Sequence, residues 1–139
     1  MDCGFEQIVK RMIDSLSTED RQYIDPVKHC VEVSAEAIKA DKYIFVCGNG
    51  GSASTASHIA NDLLCHLKNW NRRNYKVLAL TDNVAAITSL TNDYGFHEVF
   101  SRQLKAFGSR GDVLWAFSTS GNSKNCVQAI ETAKEMGIY

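Results

Sequence analysis

The sequence has 139 residues, within the roughly 100–200 that a single domain usually takes. Hydrophobic residues make up 45% and charged residues 22%, which argues against a disordered chain. Fifteen basic side chains meet sixteen acidic ones for a net charge of −1. That balance gives no general attraction to nucleic acid or an anionic membrane, and neither is expected as a partner.

The longest apolar run, Val113–Phe117, is far short of the roughly 20 residues of a membrane-spanning helix. The opening Met1-Asp2-Cys3-Gly4-Phe5 has neither the basic nor the apolar region of a signal peptide. The five cysteines, Cys3, Cys30, Cys47, Cys65 and Cys126, include no Cys-x-x-Cys pair. Reduced thiols and a cytoplasmic location are therefore expected. Cys47 ends an apolar run and reads as a buried, unreactive thiol.

Phe5, Ile8, Val9, Met12, Ile13 and Leu16 recur at helical spacing, predicting a first helix. Asp25 and Pro26 read as N-cap and first residue of a second, with Val27, Cys30, Val31, Ser34 and Ile38 on its buried face. Residues 43–47 form a continuous apolar run, the signature of a strand buried on both faces. A Gly-rich loop, residues 48–52, leads into a helix carrying Ala53, Ala56, Ile59, Ala60, Leu63, Leu64 and Leu67. Residues 68–76 form a polar connector, read as a solvated or subunit-contacting loop.

Residues 77–80 are a second strand. Thr81-Asp82-Asn83 can cap a short helix through Leu90. Asn92-Asp93 can cap another that buries Phe96, Val99, Phe100, Leu104 and Phe107 and stops at Gly108. The third strand spans residues 113–117. A last helix carries Val127, Ile130 and Ala133, with Gly137 as its C-cap. Strands alternating with helices predict an α/β fold with a doubly wound parallel sheet. Ile138-Tyr139 reads as the start of a fourth strand, so the domain is expected to continue past the last residue.

Ligands of open α/β sheets bind at the carboxyl ends of the strands. Two loops fall there. Gly48-Asn49-Gly50-Gly51-Ser52 allows close backbone approach and leads into a helix N-terminus. Ser118-Thr119-Ser120-Gly121-Asn122-Ser123 offers four hydroxyls before another helix, without Lys or Arg. That chemistry suits a terminal phosphate on a small metabolite, although turns and caps use the same residue types. Gly48, Gly50 and Ala53 also fit a dinucleotide-binding pattern, but the nearest strand-end acid, Asp82, lies too far on. His58 and Asp62 stand four apart on one helix face, a spacing that serves a metal ion, a catalytic base or a plain surface pair.

Several stretches occur in order: Cys-Gly-Asn-Gly-Gly-Ser-Ala at 47–53, His58, Thr-Asn-Asp-Tyr-Gly-Phe at 91–96, Val-Phe-Ser-Arg-Gln at 99–103, Gly-Asp-Val-Leu at 111–114, and Ser-Thr-Ser-Gly-Asn-Ser at 118–123. With them the chain resembles the SIS-domain phosphosugar isomerases, within these the phosphoheptose isomerases, over nearly its whole length. The resemblance implies a three-layer, flavodoxin-like fold and a homotetramer. Residues 1–41 would be oligomerisation helices, residues 42–139 the first three βα units, and the C-terminal part of the domain would be missing. It implies conversion of sedoheptulose 7-phosphate to D-glycero-D-manno-heptose 7-phosphate for bacterial lipopolysaccharide or capsule.

By motif position, Ser118, Thr119, Ser120 and Ser123 would hold the phosphate. Asn49, Gly50, Gly51 and Ser52, with Asn92 and Asp93, would contact the sugar. His58 would ligate zinc, and Asp62 would be catalytic base and zinc ligand. The family usually has Glu at the position of Asp62 and Arg at that of His66. Its remaining zinc ligands, a Gln and a His on a late helix, fall beyond Tyr139. These departures motivate an alternative: a non-catalytic SIS-domain regulator that binds a sugar phosphate or a protein, related to the module that associates with the bacterial replication initiator.

Overall fold

The computed structural model describes residues 24–65 and 75–139. The helix expected over residues 5–16 and most of the polar connector lie outside the described residues. The chain divides into two compact units, residues 1–36 and residues 37–139.

Helix α1 (Ile24–Lys39) begins one residue before Asp25, so Asp25 stands in its first turn and is not its N-cap. There Asp25 pairs with Lys28 one turn on at 3.5 Å. Of the face expected to be buried, Ser34 is, while Val27 and Cys30 are exposed. The Ser34 hydroxyl donates to the Cys30 carbonyl at 2.7 Å, satisfying itself within the helix. The turn after the helix places Asp41 at φ 59, a left-handed position where Asp is tolerated. The Lys76 ammonium donates to its carboxylate at 2.6 Å and to its carbonyl at 3.1 Å.

Strands β1 (Ile44–Gly48), β2 (Val77–Ala79) and β3 (Val113–Phe117) form one parallel sheet in the order β2-β1-β3. Ile44 pairs with Val77 on one side and Val113 on the other; Gly48 ends level with Phe117. Central β1 is buried throughout, as its unbroken apolar run requires. Buried Asp112 fixes the entry to β3, accepting from Tyr43 N–H at 3.0 Å and from Ser109 N–H at 2.7 Å. Beyond β3, Tyr139 N–H donates to the Asp112 carbonyl at 3.0 Å, and Leu114 N–H donates to Tyr139 O at 2.7 Å.

Helix α2 (Gly51–Cys65) packs on β1 and β2 through Ala56, Ala60 and Leu63. Helices α4 (Val99–Phe107) and α5 (Lys124–Met136) share a core with Phe45 and Cys47, built on Val99, Phe100, Leu104, Ala129 and Ala133. Phe45 and Cys47 point to one face of β1, and Ile44 and Val46 to the other. Helices therefore cover both faces, the doubly wound arrangement expected.

Two expectations fail between β2 and α4. Helix α3 (Val84–Tyr94) runs four residues past Leu90, so Asn92 and Asp93 lie inside it and cap nothing. Its own cap, Asn83, accepts from Ala86 N–H at 3.0 Å, as expected. The break comes at Gly95, at φ +90, followed by a 3-10 turn, Phe96–Glu98. Phe96 and Phe107, expected to be buried, are 51% and 57% exposed. In α5 the buried stripe is Asn125, Cys126, Ala129, Thr132 and Ala133, while Val127 and Ile130 are partly exposed. Gly137 ends that helix in the left-handed conformation, as expected.

Candidate functional site

The level ends of β1 and β3 place the two ligand loops side by side. In the first, Gly50 takes φ +52, which lets the chain turn sharply into α2. The N–H groups of Ser52 and Ala53 donate to Asn49 O at 2.9 Å and Gly50 O at 3.0 Å. They close the turn instead of facing a ligand. Nothing lies within 4 Å of where a Cβ on Gly50 or Gly51 would stand, so space above the loop is open. At Gly48 the reverse holds: a Cβ would meet Ser52 Cβ at 2.7 Å and Ser52 O at 2.8 Å. The absence of a side chain there lets loop and helix close up.

In the second loop, Ser118 Oγ lies 3.0 Å from Ser123 Oγ and 3.5 Å from Ser120 Oγ. Three hydroxyls thus converge where the chain enters α5. Ser120 Oγ also accepts from Asn122 N–H at 3.2 Å. Ser123 occupies the N-cap of α5 but makes no side-chain cap bond. Its hydroxyl turns to Ser118, leaving the first turn of a 13-residue helix uncapped by its own serine. Thr119 and Gly121 are exposed at the loop tip.

Asn125, unremarked in the sequence, joins the loops. Asn49 Nδ2 donates to Asn125 Oδ1 at 2.8 Å, and Asn125 Nδ2 donates to Asn49 Oδ1 at 2.7 Å. Asn125 is 2% exposed, and its Oδ1 also accepts from Cys126 N–H at 3.0 Å. An open cavity of about 360 Å³ lies here, lined by Asn49, Phe96, His97, Ser123, Lys124 and Asn125. The hydroxyl loop contains no Lys or Arg, but Lys124 directly follows it and His97 lines the same cavity. The His97 ring sits against Gly95, where a Cβ would come within 3.0 Å of the imidazole. The signal for Asn125 was a polar residue on the buried stripe of its helix. The turn that delivers Phe96 and His97 had no such marker.

Beneath the amide pair lie Cys47 and Cys126, both buried. Burial pushes the Cys47 thiol far above its ordinary range, and the adjacent Cys126 raises it further. Burial also raises Cys126. Both stay protonated and poorly nucleophilic, as expected for Cys47.

The remaining candidates do not line this cavity. Asn92 Nδ2 donates to Asp93 Oδ1 at 2.9 Å, and both residues are exposed near the end of α3. His58 Nε2 lies 3.1 Å from Asp62 Oδ2, with side chains 75% and 47% exposed. At 1.5 Å per residue they lie about 10 and 16 Å along α2 from Gly51. Asp82, the candidate ribose acid of the dinucleotide reading, is engaged by Ser57 and Thr81. A catalytic zinc takes three protein donors. His58 and Asp62 supply two, and no cluster of three His, Cys, Asp or Glu occurs among the described residues. The described residues alone do not complete a zinc site.

A family model described as SIS domain matches residues 5–139. The chain belongs to the SIS-domain family. It is 43% identical over 120 residues to a phosphoheptose isomerase of Clostridium acetobutylicum, covering 86% of this chain and 61% of that protein. A second relative, the phosphoheptose isomerase of Synechocystis, is 36% identical over 134 residues, covering 96% and 69%. Among solved structures, phosphoheptose isomerase GmhA from Neisseria gonorrhoeae matches at 34% identity with TM-score 0.76, covering 96% of this chain and 64% of its own. The Francisella tularensis phosphoheptose isomerase matches at 29% identity and TM-score 0.77, covering 94% and 64%. This SIS domain thus spans about three-fifths of the length of the first relative. The comparisons agree with the resemblance in the motifs and do not favour a dinucleotide-binding or regulatory reading. Among the described residues, no helix is long and apolar enough to cross a membrane.

Proposed function

We propose that this chain belongs to an aldose–ketose isomerase acting on sedoheptulose 7-phosphate to give D-glycero-D-manno-heptose 7-phosphate. The observation that carries the proposal is the convergence of Ser118, Ser120 and Ser123 at the N-terminus of α5, where the N-cap serine makes no capping bond of its own. A phosphate dianion accepts hydrogen bonds from hydroxyls and helix N–H groups and is favoured by the helix dipole. Ser118, Thr119, Ser120 and Ser123 are assigned to the phosphate. Asn49, Gly50, Gly51 and Ser52 are assigned to the sugar, with Asn92 and Asp93. The names of the relatives supply the substrate.

The reaction moves a proton from C1 of the ketose to C2 while a hydroxyl proton passes from O1 to O2. Asp62 is the proposed base that takes and returns the carbon-bound proton, and His58 lies against it. Zinc is proposed as the cofactor, held in part by His58 and Asp62 with donors from outside the described residues. When bound, it would stabilise negative charge on the substrate oxygens. A cytoplasmic homotetramer serving bacterial heptose synthesis completes the proposal.

The experiment is to incubate the protein with sedoheptulose 7-phosphate and zinc and to follow the new aldehyde carbon by NMR. Appearance of the aldose is expected. Binding of the sugar phosphate without turnover would overturn the assignment as an isomerase.

A further inference from the structure

The Asn49–Asn125 pair carries an inference that rests on the reading above and deepens it. Each primary amide offers two N–H donors and two oxygen lone pairs, and nothing intrinsic to Asn49 decides which edge faces the cavity. Asn125 decides it. A backbone N–H can only donate, so the bond from Cys126 N–H at 3.0 Å identifies the acceptor on Asn125 as its oxygen. That leaves Asn125 Nδ2 facing Asn49, and the atom it reaches at 2.7 Å must be the Asn49 oxygen. The return bond, Asn49 Nδ2 to Asn125 Oδ1 at 2.8 Å, closes the ring.

We propose that Asn125 is a positioning residue for sugar recognition, acting through Asn49. The bonds from Asn49 Nδ2 and from Cys126 N–H use both lone pairs of Asn125 Oδ1. Asn49 keeps one N–H and one oxygen lone pair, and it lines the open cavity beside Ser123. The main chain at Cys126 thereby sets, through one buried side chain, which polar atom of Asn49 meets a sugar hydroxyl. Because Asn125 is 2% exposed, water competes poorly for its bonds, and losing one leaves a buried polar atom unpaired. The ligand class is the polyhydroxylated chain of a sugar phosphate, not the phosphate itself, which falls to the serine loop.

The test compares sedoheptulose 7-phosphate with inorganic phosphate as calorimetric ligands for the parent protein and for Asn125→Asp. At neutral pH the introduced carboxylate still accepts from Asn49 Nδ2 and Cys126 N–H. It places an oxygen against Asn49 Oδ1, with a repulsion where a bond was. The added charge near the α5 N-terminus repels the phosphate that both ligands carry, so the quantity read is the ratio of sugar-phosphate to inorganic-phosphate affinity, which is expected to fall about tenfold. On acidification the protonated carboxyl regains a donor toward Asn49, and the sugar-phosphate to inorganic-phosphate ratio recovers toward the parent's at the same pH. His97 and Lys124, which line the same cavity, act on the phosphate common to the two ligands, and the ratio is compared with the parent's at each pH.

A merely structural role at the head of α5 would weaken both ligands in the same proportion and leave their ratio unchanged at every pH; that result overturns the inference. So does an unchanged preference for the sugar phosphate in the variant. A parent protein that binds the two ligands equally overturns the functional reading itself, and this inference with it.

Discussion

Cys47 and Cys126 occupy the core beneath the amide pair, where burial raises both thiols, whereas Cys30 and Cys65 are exposed. A maleimide reagent on the native protein should modify Cys30 and Cys65 and spare the buried two. Mass spectrometry of the labelled peptides checks this. The raised thiol values also set a pH dependence. In the unfolded chain both thiols ionise near pH 8.5, whereas in the fold they remain protonated well above it. Stability is thus fully present below about pH 8.5 and falls as pH rises beyond it, by at most about 1.4 kcal/mol per pH unit for Cys47. Urea unfolding between pH 7.5 and 10 should show that slope in the parent and a shallower one in Cys47→Ala.

Gly95 makes the other residue-scale prediction. Its φ of +90 disfavours any side chain, and a Cβ would press on the His97 ring at 3.0 Å. Gly95→Ala should cost about 1–2 kcal/mol, read as a fall in the urea midpoint.

At the scale of elements, the polar staple between β2 and α4 is Gln103. Buried at 6% exposure, its Nε2 donates to Leu80 O at 2.9 Å and to Val99 O at 3.0 Å. Gln103→Leu fits the apolar core in volume but strands the Leu80 carbonyl. A loss of about 1–3 kcal/mol is expected, measured by thermal unfolding.

The same scale explains what the sequence conveyed. Strand β1 was legible because a strand buried on both faces must be apolar without interruption. The doubly wound alternation followed from the change of period around it. Helix α5 was misread at its face because its buried stripe runs through Asn125, Cys126, Ala129 and Thr132. Small and polar residues allow close packing on the sheet and carry hydrogen bonds there, whereas hydropathy spacing selects the larger Val127 and Ile130. The Asn92-Asp93 pair looked like a cap because caps favour those residues, yet the helical hydrogen bonds continued to Gly95, whose N–H donates to Thr91 O at 3.0 Å. Serines 118, 120 and 123 were legible as a loop chemistry. Their convergence depends on turn geometry that spacing alone does not supply.

For the molecule as a whole, the parallel sheet places two loops level with each other, and a buried amide ties them into one surface. The binding half of the proposed site is assembled in this way, while His58 and Asp62 stand about 10 and 16 Å away along α2 by helical rise. The account therefore rests most heavily on the phosphate. The direct measurement is a calorimetric titration of sedoheptulose 7-phosphate into the parent protein and into Ser120→Ala. Loss of one hydroxyl donor to a dianion predicts an affinity about tenfold weaker in the variant. An unchanged affinity would contradict the assignment of the Ser118–Ser123 loop as the phosphate site.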